Sequence, residues 1–270
     1  KKNDIASVEF IRERWYVDAD LGTVYWHDHV FGTDTWGHGL FSAFITEPPR
    51  STYHDPVTGK EIRSGPVADI HTLEPVSAHI RGSFREVMMH IMDSNARTAE
   101  LITTDNPQAR MNAATVDGPP SHQFPERINK SAMWFLNGGE ATTGSAYSMR
   151  VEPLSVRLAN NPDPSKLFVS GIHGDPGTPL LRAYLGDPIL VRALVGSANE
   201  VHTWHVTGHW FPMERYGKDA MPRSTVHLVI GERYDPAIPA AGGPQKQAGD
   251  YLYYSGRASH FAEGSWGIFR

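Results

Sequence analysis

The chain has 270 residues, 25 Lys+Arg against 30 Asp+Glu for a formal net charge of −5, 14 histidines and no cysteine. Zero cysteine excludes a disulfide framework, thiolate zinc sites, iron–sulfur ligation and a cysteine nucleophile, and the absent basic surplus argues against a dedicated nucleic-acid binder. With 40 % hydrophobic residues it can build a sizeable core, and no apolar run approaches the roughly 18–20 residues that span a bilayer.

The first residues are Lys1-Lys2-Asn3-Asp4, with neither an initiator Met nor the apolar stretch of a signal peptide. The expectation is a processed chain or a section of a longer polypeptide. Helical periodicity is scarce throughout. The 20 Pro and 25 Gly punctuate short apolar runs rich in β-branched and aromatic residues. Strands are predicted at 23–26, 41–45, 188–192 and 224–230. Short helices are predicted over Asp93–Glu100 and from Met221 onward. The polar, Pro/Gly-bearing stretches 47–66 and 105–125 read as a linker or long loops. A domain boundary is expected around residues 75–83, dividing 1–75 from 76–270. The first unit falls short of the ~100 residues of a β-sandwich. The predicted class is all-β.

Three segments concentrate ligand-capable side chains. In the first, Gly22-Thr23-Val24-Tyr25-Trp26-His27-Asp28-His29 is followed by His38-Gly39-Leu40-Phe41. Residues i and i+2 of a strand share a face about 6.6 Å apart. His27 and His29 therefore present two imidazoles side by side, and imidazole suits copper, zinc, iron and nickel; the alternative is two surface histidines. The second segment runs from Glu200 to Trp210 and holds His202, His205 and His209. In strand geometry His205 and His209 share one face and His202 takes the other, unless a bulge re-aims one. The alternative there is buried, hydrogen-bonded histidines beside tryptophans. The third segment, Gly249–Gly267, carries His260 in an aromatic strand and turn, where a single histidine reads as structural. His173-Gly174-Asp175-Pro176 reads as turn chemistry, and Asp93, Asp105 and Asp117 as solvated loop acids. Phosphate-cradling loops, a serine elbow and a dinucleotide fingerprint are absent from the sequence.

Taken in order, these segments resemble the multicopper oxidase family, built from cupredoxin β-sandwich domains. Gly22, Thr23, His27, His29, Gly39 and Leu40 resemble its first His-x-His motif, and His202, His205, Gly208 and His209 its His-x-x-His-x-His-Gly-His motif. Gly186–Arg192 and Gly231-Glu232-Arg233-Tyr234-Asp235 resemble a strand and a turn of the family. The run His173–Tyr184 and the ending Asp250–Gly267 are closest to large bacterial members of manganese-oxidase type. The likeness touches most of 8–47 and 168–270. It implies Greek-key cupredoxin domains, the first incomplete. It also implies that His27, His29 and His205 ligate a trinuclear copper cluster where O2 is reduced to water, with His202, His209, His260 and His38 as further metal candidates.

The departures are informative. Thr207 stands where the family has a cluster histidine, and Tyr254-Ser255-Gly256 stands where it has His-Cys-His. Blue copper needs a thiolate, so this chain is expected to hold no blue-copper site, and His202 and His260 are read as structural remnants. An earlier His-x-His is also missing. The expectation is a section of an oxidase of Mn(II), Fe(II), Cu(I) or a phenol, secreted, periplasmic or at the cell surface, whose copper sites other cupredoxin domains or chains complete. The alternatives are a catalytically silent structural or partner-binding section, and a copper-binding module.

Overall fold

The structure, a computed structural model, describes residues 11–29, 36, 39–94, 144–147, 150–197 and 201–270. The long strands are the runs of β-branched and aromatic residues between Gly and Pro. The clearest is β7 (Ile189–Ser197), whose sequence Ile-Leu-Val-Arg-Ala-Leu-Val is continuously apolar except at Arg192. Such a run suits a strand covered on both faces. Residues 190–195 of β7 are completely buried, Arg192 included.

β7 lies parallel to β5 (Phe84–Ser94) and antiparallel to β12 (Arg233–Tyr234) and β13 (Ala237–Ile238). β5 continues through β4 (Val67–His71) to β3 (Thr52–His54) and also pairs with β6 (Gly144–Tyr147). The second sheet has the order β11 (Thr225–Leu228), β8 (His202–Val206), β14 (Tyr251–Tyr254), β15 (Trp266–Phe269). The chain changes sheet at β7–β8, at β11–β12 and at β13–β14, the alternation of a Greek-key sandwich. This is the all-β sandwich expected from the sequence, and among the described residues no sheet closes into a barrel.

Alternation along each strand builds the core. Val87, Met89 and Ile91 of β5 and Val191, Ala193 and Val195 of β7 face Trp204 and Val206 of β8, Val226 and Leu228 of β11, and Tyr253 of β14. Each Val, Leu, Ile or Met among them contributes about 1.5–3 kcal/mol by leaving water. The opposite faces of β5 and β7 meet other partners: Leu190 joins Ile70, Val76, Ile80, Phe84 and Ala237, and Met92 packs with Phe41.

Phe41 belongs to a separate two-stranded ribbon of β1 (Gly22–His27) and β2 (Phe41–Thr46), paired antiparallel from Gly22↔Thr46 to His27↔Phe41. Side-chain chemistry docks the ribbon on the sandwich. The Tyr25 hydroxyl donates to the Gly196 carbonyl at 2.6 Å, Thr23 Oγ1 donates to Asp235 Oδ1 at 2.6 Å, and Arg233 Nε donates to the Thr23 carbonyl. Gly196 allows the contact because a Cβ there would sit 2.0 Å from Phe41 Cδ2. Gly196→Ala is therefore expected to cost about 1–3 kcal/mol by overpacking. Urea denaturation checks this, and Phe41→Ala in the same chain should recover part of the difference that Gly196→Ala makes.

Several sequence expectations change. Pairing continues across residues 75–76, because β3 and β4 belong to the same sheet as β5, and the change of sheet falls between β2 and β3. The stretch 47–66, read as a linker, contains β3. The helix expected from Met221 is instead β10 (Pro222–Arg223), paired with β9 (Phe211–Pro212), followed by β11. Pro222 suits an edge, and Thr225 and Val226 favour strand geometry. Asp93 and Ser94 extend β5; residues 95–100 and the loop at 105–125 lie outside the described residues. Among the described residues, three short helices were not expected: α1 (Leu154–Asn160), α2 (Ser170–His173) and α3 (Ala258–Glu263).

Candidate metal centre

Strand alternation in β1 sends Trp26 outward, 55 % exposed, and turns Tyr25 and His27 the other way. The Tyr25 ring stacks on His27 at 4.4 Å, and Trp36 meets His27 edge-on at 4.7 Å. The Asp28 carbonyl lies 2.8 Å from His27 Nδ1 and accepts the Trp36 indole N–H at 2.7 Å. A carbonyl only accepts, so Nδ1 is the donor to it, and Nε2 is the nitrogen left to face a ligand. Just past the strand, the His29 ring lies 5.4 Å from that of His27, tilted by 32°. The i, i+2 spacing thus gives two adjacent rings, one held by its neighbours and one exposed. Burial pushes the Tyr25 hydroxyl up to about 12. His38 lies outside the described residues.

The other expected residues separate into three settings. His202 on β8 and His260 on α3 are buried and stack at 4.7 Å. Ser255 Oγ lies 3.4 Å from His260 Nδ1 and 3.3 Å from Thr203 Oγ1, which accepts the Gly256 N–H. Residues 202, 203, 255 and 260 therefore form one buried polar knot, with a serine hydroxyl at its centre. A hydroxyl beside two imidazoles does not fit a blue-copper centre, which requires thiolate sulfur.

His205 is half-buried, with Nδ1 2.7 Å from Thr225 Oγ1 and its ring edge-on to Tyr254; burial lowers its pKa. His209 has both nitrogens committed. Nδ1 lies 2.9 Å from the Thr207 carbonyl, and Nε2 accepts the Gly242 N–H at 2.9 Å. Burial lowers its pKa, against the hydrogen bond to Thr207. The ring ties two turns together. Among the described residues no group of three or more His, Cys, Asp or Glu could hold a metal ion. The two histidine pairs, 27/29 and 202/260, stand without a third such ligand there.

Sequence reasoning missed the charged cluster under the ribbon. Arg192 donates from Nε to Glu86 Oε2 at 2.9 Å, from Nη1 to Asp235 Oδ2 at 2.8 Å, and from Nη2 to Glu47. Arg215 bridges Asp235 and Asp20, both at 3.1 Å. Burial, together with a hydrogen bond to Glu86, drives the Glu47 carboxyl up to about 9 against the pull of Arg192. Its signal was the one charged residue inside an apolar strand. The segments 186–192 and 231–235, set apart by resemblance, meet here through Arg192 and Asp235.

No family model and no curated protein matches the chain. Among solved structures it is similar to a laccase from Botrytis aclada, at 14 % identity and a TM-score of 0.47, covering 92 % of this chain and 34 % of that one. A blue copper oxidase from Nitrosomonas europaea is 12 % identical with a TM-score of 0.37, over 93 % of this chain and 70 % of that one. A multicopper oxidase from Aquifex aeolicus is 18 % identical with a TM-score of 0.33, over 49 % of this chain and 27 % of that one. The chain thus spans about a third of the laccase. Identities and scores this low assign no residue a role.

Proposed function

We propose that the chain is a section of a multicopper oxidase, which oxidises a reduced substrate and reduces O2 to water. The observation that carries this reading is the His27–His29 pair. His27 is oriented by a backbone carbonyl at Nδ1, which leaves Nε2 available, and this is the outer-shell arrangement that holds ligating histidines. Two adjacent imidazoles fit copper. When bound, copper would supply one-electron redox chemistry toward O2. Tyr25 and Trp36 fix the His27 ring, and the ribbon's bonds to Gly196 and Asp235 fix the strand that carries it.

In this reading His205, together with histidines from other cupredoxin domains or chains, completes a trinuclear cluster. Electrons arrive from a blue-copper site elsewhere, because Ser255 cannot supply a thiolate. The substrate is a metal ion such as Mn(II) or Fe(II), or a phenol. The protein is secreted, periplasmic or on the cell surface; among the described residues no helix is long and apolar enough to cross a membrane.

A second reading is a catalytically silent cupredoxin section, in which His27 and His29 are surface histidines, and the exposure of His29 favours it. Metal analysis of the protein with its natural partners separates the two. The oxidase reading expects more than one copper per complex, and expects His27→Ala plus His29→Ala to lower copper content and reduce O2 consumption at least tenfold. Less than one copper per complex, or unchanged O2 consumption in the double variant, establishes the silent reading instead.

A further inference from the structure

Among the described residues, β2 has one partner strand, β1, and its other long edge is open. The bonding pattern of the ribbon shows which groups face that edge. The Asp28 N–H donates to the Leu40 carbonyl at 3.3 Å, one pair beyond His27↔Phe41 in the same register. Bonded and non-bonded pairs alternate in an antiparallel ladder. Residues 42 and 44 therefore bond across to β1, while 43 and 45 turn both backbone groups outward. The Thr23 carbonyl agrees with this parity: opposite Ile45, it faces out of the ribbon and accepts from Arg233. The N–H and C=O of Ala43 and Ile45 meet no partner among the described residues. Proteins blunt such edges with charge, proline or bulges, yet the sequence Phe-Ser-Ala-Phe-Ile-Thr has neither charge nor proline, and its register is unbroken.

A cavity of about 770 Å³ runs along this edge. Ser42, Ala43, Phe44 and Ile45 all line it, although their side chains alternate between faces, so the strand presents its backbone to the cavity. Ile62, Ala68, Met88 and His90 supply other parts of the lining. His90 marks the Phe41 end, where the two rings meet edge-on at 5.5 Å. Its Nε2 is buried without a hydrogen-bond partner, an uncommon state that calls for an explanation. The carboxylates at the other end, Glu47 and Glu86, are already joined through Arg192. The outer face of the ribbon is a poorer candidate, because Trp15 of the chain itself meets Phe44 there, edge-on at 6.4 Å.

Outward N–H and C=O groups two residues apart match one kind of ligand, a second extended backbone. At ~3.4 Å per residue, a segment of about five residues lies alongside 42–45. We propose that the open edge of β2 binds an extended segment of a second polypeptide by antiparallel strand addition. Its backbone pairs with Ala43 and Ile45, an apolar side chain faces Met88 and Ala68, and a hydroxyl side chain meets His90 Nε2. A hydroxyl both donates and accepts, so it satisfies that nitrogen in either tautomer. No metal ligand takes part, and the proposal holds equally for an oxidase section and for a silent one.

The test uses the whole chain in buffer with a chelator and the fluorescein-labelled peptide Val-Ile-Val-Thr-Val. Laid antiparallel, its Ile pairs with Ile45 and its Thr with Ala43. Fluorescence anisotropy is expected to show saturable one-to-one binding. N-methylation of the Ile and Thr nitrogens removes two donors of the ladder and should weaken binding at least tenfold. Amide exchange read by NMR should slow at Ala43 and Ile45 when peptide is added and stay unchanged at Ser42 and Phe44, which already bond to β1. Ala43→Pro deletes a groove-facing N–H and none of the ribbon's, the placement an edge strand tolerates, and should weaken binding at least tenfold. In His90→Leu, replacing the peptide's Thr by Val should cost nothing, whereas in the parent it should weaken binding. Near-UV circular dichroism establishes that both variants are folded, and the N-methylated peptide tests the parent without any substitution. No saturable binding, equal affinity for the N-methylated peptide, or slowed exchange only at other amides overturns the proposal. So does protection of Ala43 and Ile45 in the peptide-free chain, which assigns the edge to the chain itself or, where it grows with protein concentration, to a second copy.

Discussion

Arg192→Met is expected to destabilise the protein by about 3–5 kcal/mol, the loss typical when one partner of a buried ion cluster is removed. The side chain of Arg192 is completely buried and holds Glu47, Glu86 and Asp235 in three directions. Asp235 would keep Arg215 at 3.1 Å. Glu47 and Glu86 would then lose their guanidinium partner in a site that is largely buried. Met nearly conserves volume, so the cost is electrostatic rather than a cavity. Adding Glu47→Gln and Glu86→Gln to Arg192→Met should recover part of the loss, because buried carboxyl groups left without their guanidinium donor are its source. Arg192→Lys should fall between, since an ammonium is a point charge without the planar fork that reaches three acceptors. Urea midpoints at constant slope measure all of these. A loss below about 1 kcal/mol in Arg192→Met would show that the cluster contributes little beyond its own desolvation cost.

The sequence could announce this arginine but not its partners. A charged residue inside an apolar strand must find counter-charges, yet nothing local says that they come from residues 47, 86 and 235. The same distinction runs through the molecule. The i, i+2 spacing of His27 and His29 was legible because it is local, and the rings lie side by side even though β1 ends at His27. The strands at 23–26, 41–45 and 188–192 were legible because β-branched and aromatic runs between Gly and Pro have few other solutions. By contrast, the pairing of β4 with β5 across residue 75 is a long-range choice, and a polar stretch does not reveal it. The helices α1, α2 and α3 have seven, four and six residues, too short to show a helical period. His209 looked like a ligand because it closes a histidine-rich motif. Its Nε2 accepts the N–H of Gly242, which lies 33 residues further along. Local chemistry was readable, and partners brought in by the fold were not.

Raising the pH from 7 to 9 is expected to weaken the protein through Glu47, by about 2–3 kcal/mol at one proton and ~1.4 kcal/mol per pH unit. The carboxyl is held up near 9 by burial and by a hydrogen bond to Glu86, from an ordinary value of 4.5. Between those two values the folded protein binds a proton that the unfolded chain has released. Stability is therefore full below about 4.5, falls as pH rises, and is lost once pH passes about 9. The imidazoles of His90, His205 and His209 have lowered pKa values, so their contribution changes below the ordinary histidine range. The Tyr25 and Tyr53 hydroxyls are pushed up to about 12 and act only at higher pH. Glu47→Gln reproduces the shape and neutrality of the protonated carboxyl and keeps an oxygen for the Arg192 guanidinium. It should match the parent at pH 7 within about 1 kcal/mol and flatten the decline from pH 7 to 9. An equal slope in both proteins would place the proton elsewhere in the cluster. A flat parent would mean that Glu47 is ionised in the folded state, with Arg192 compensating its charge in full.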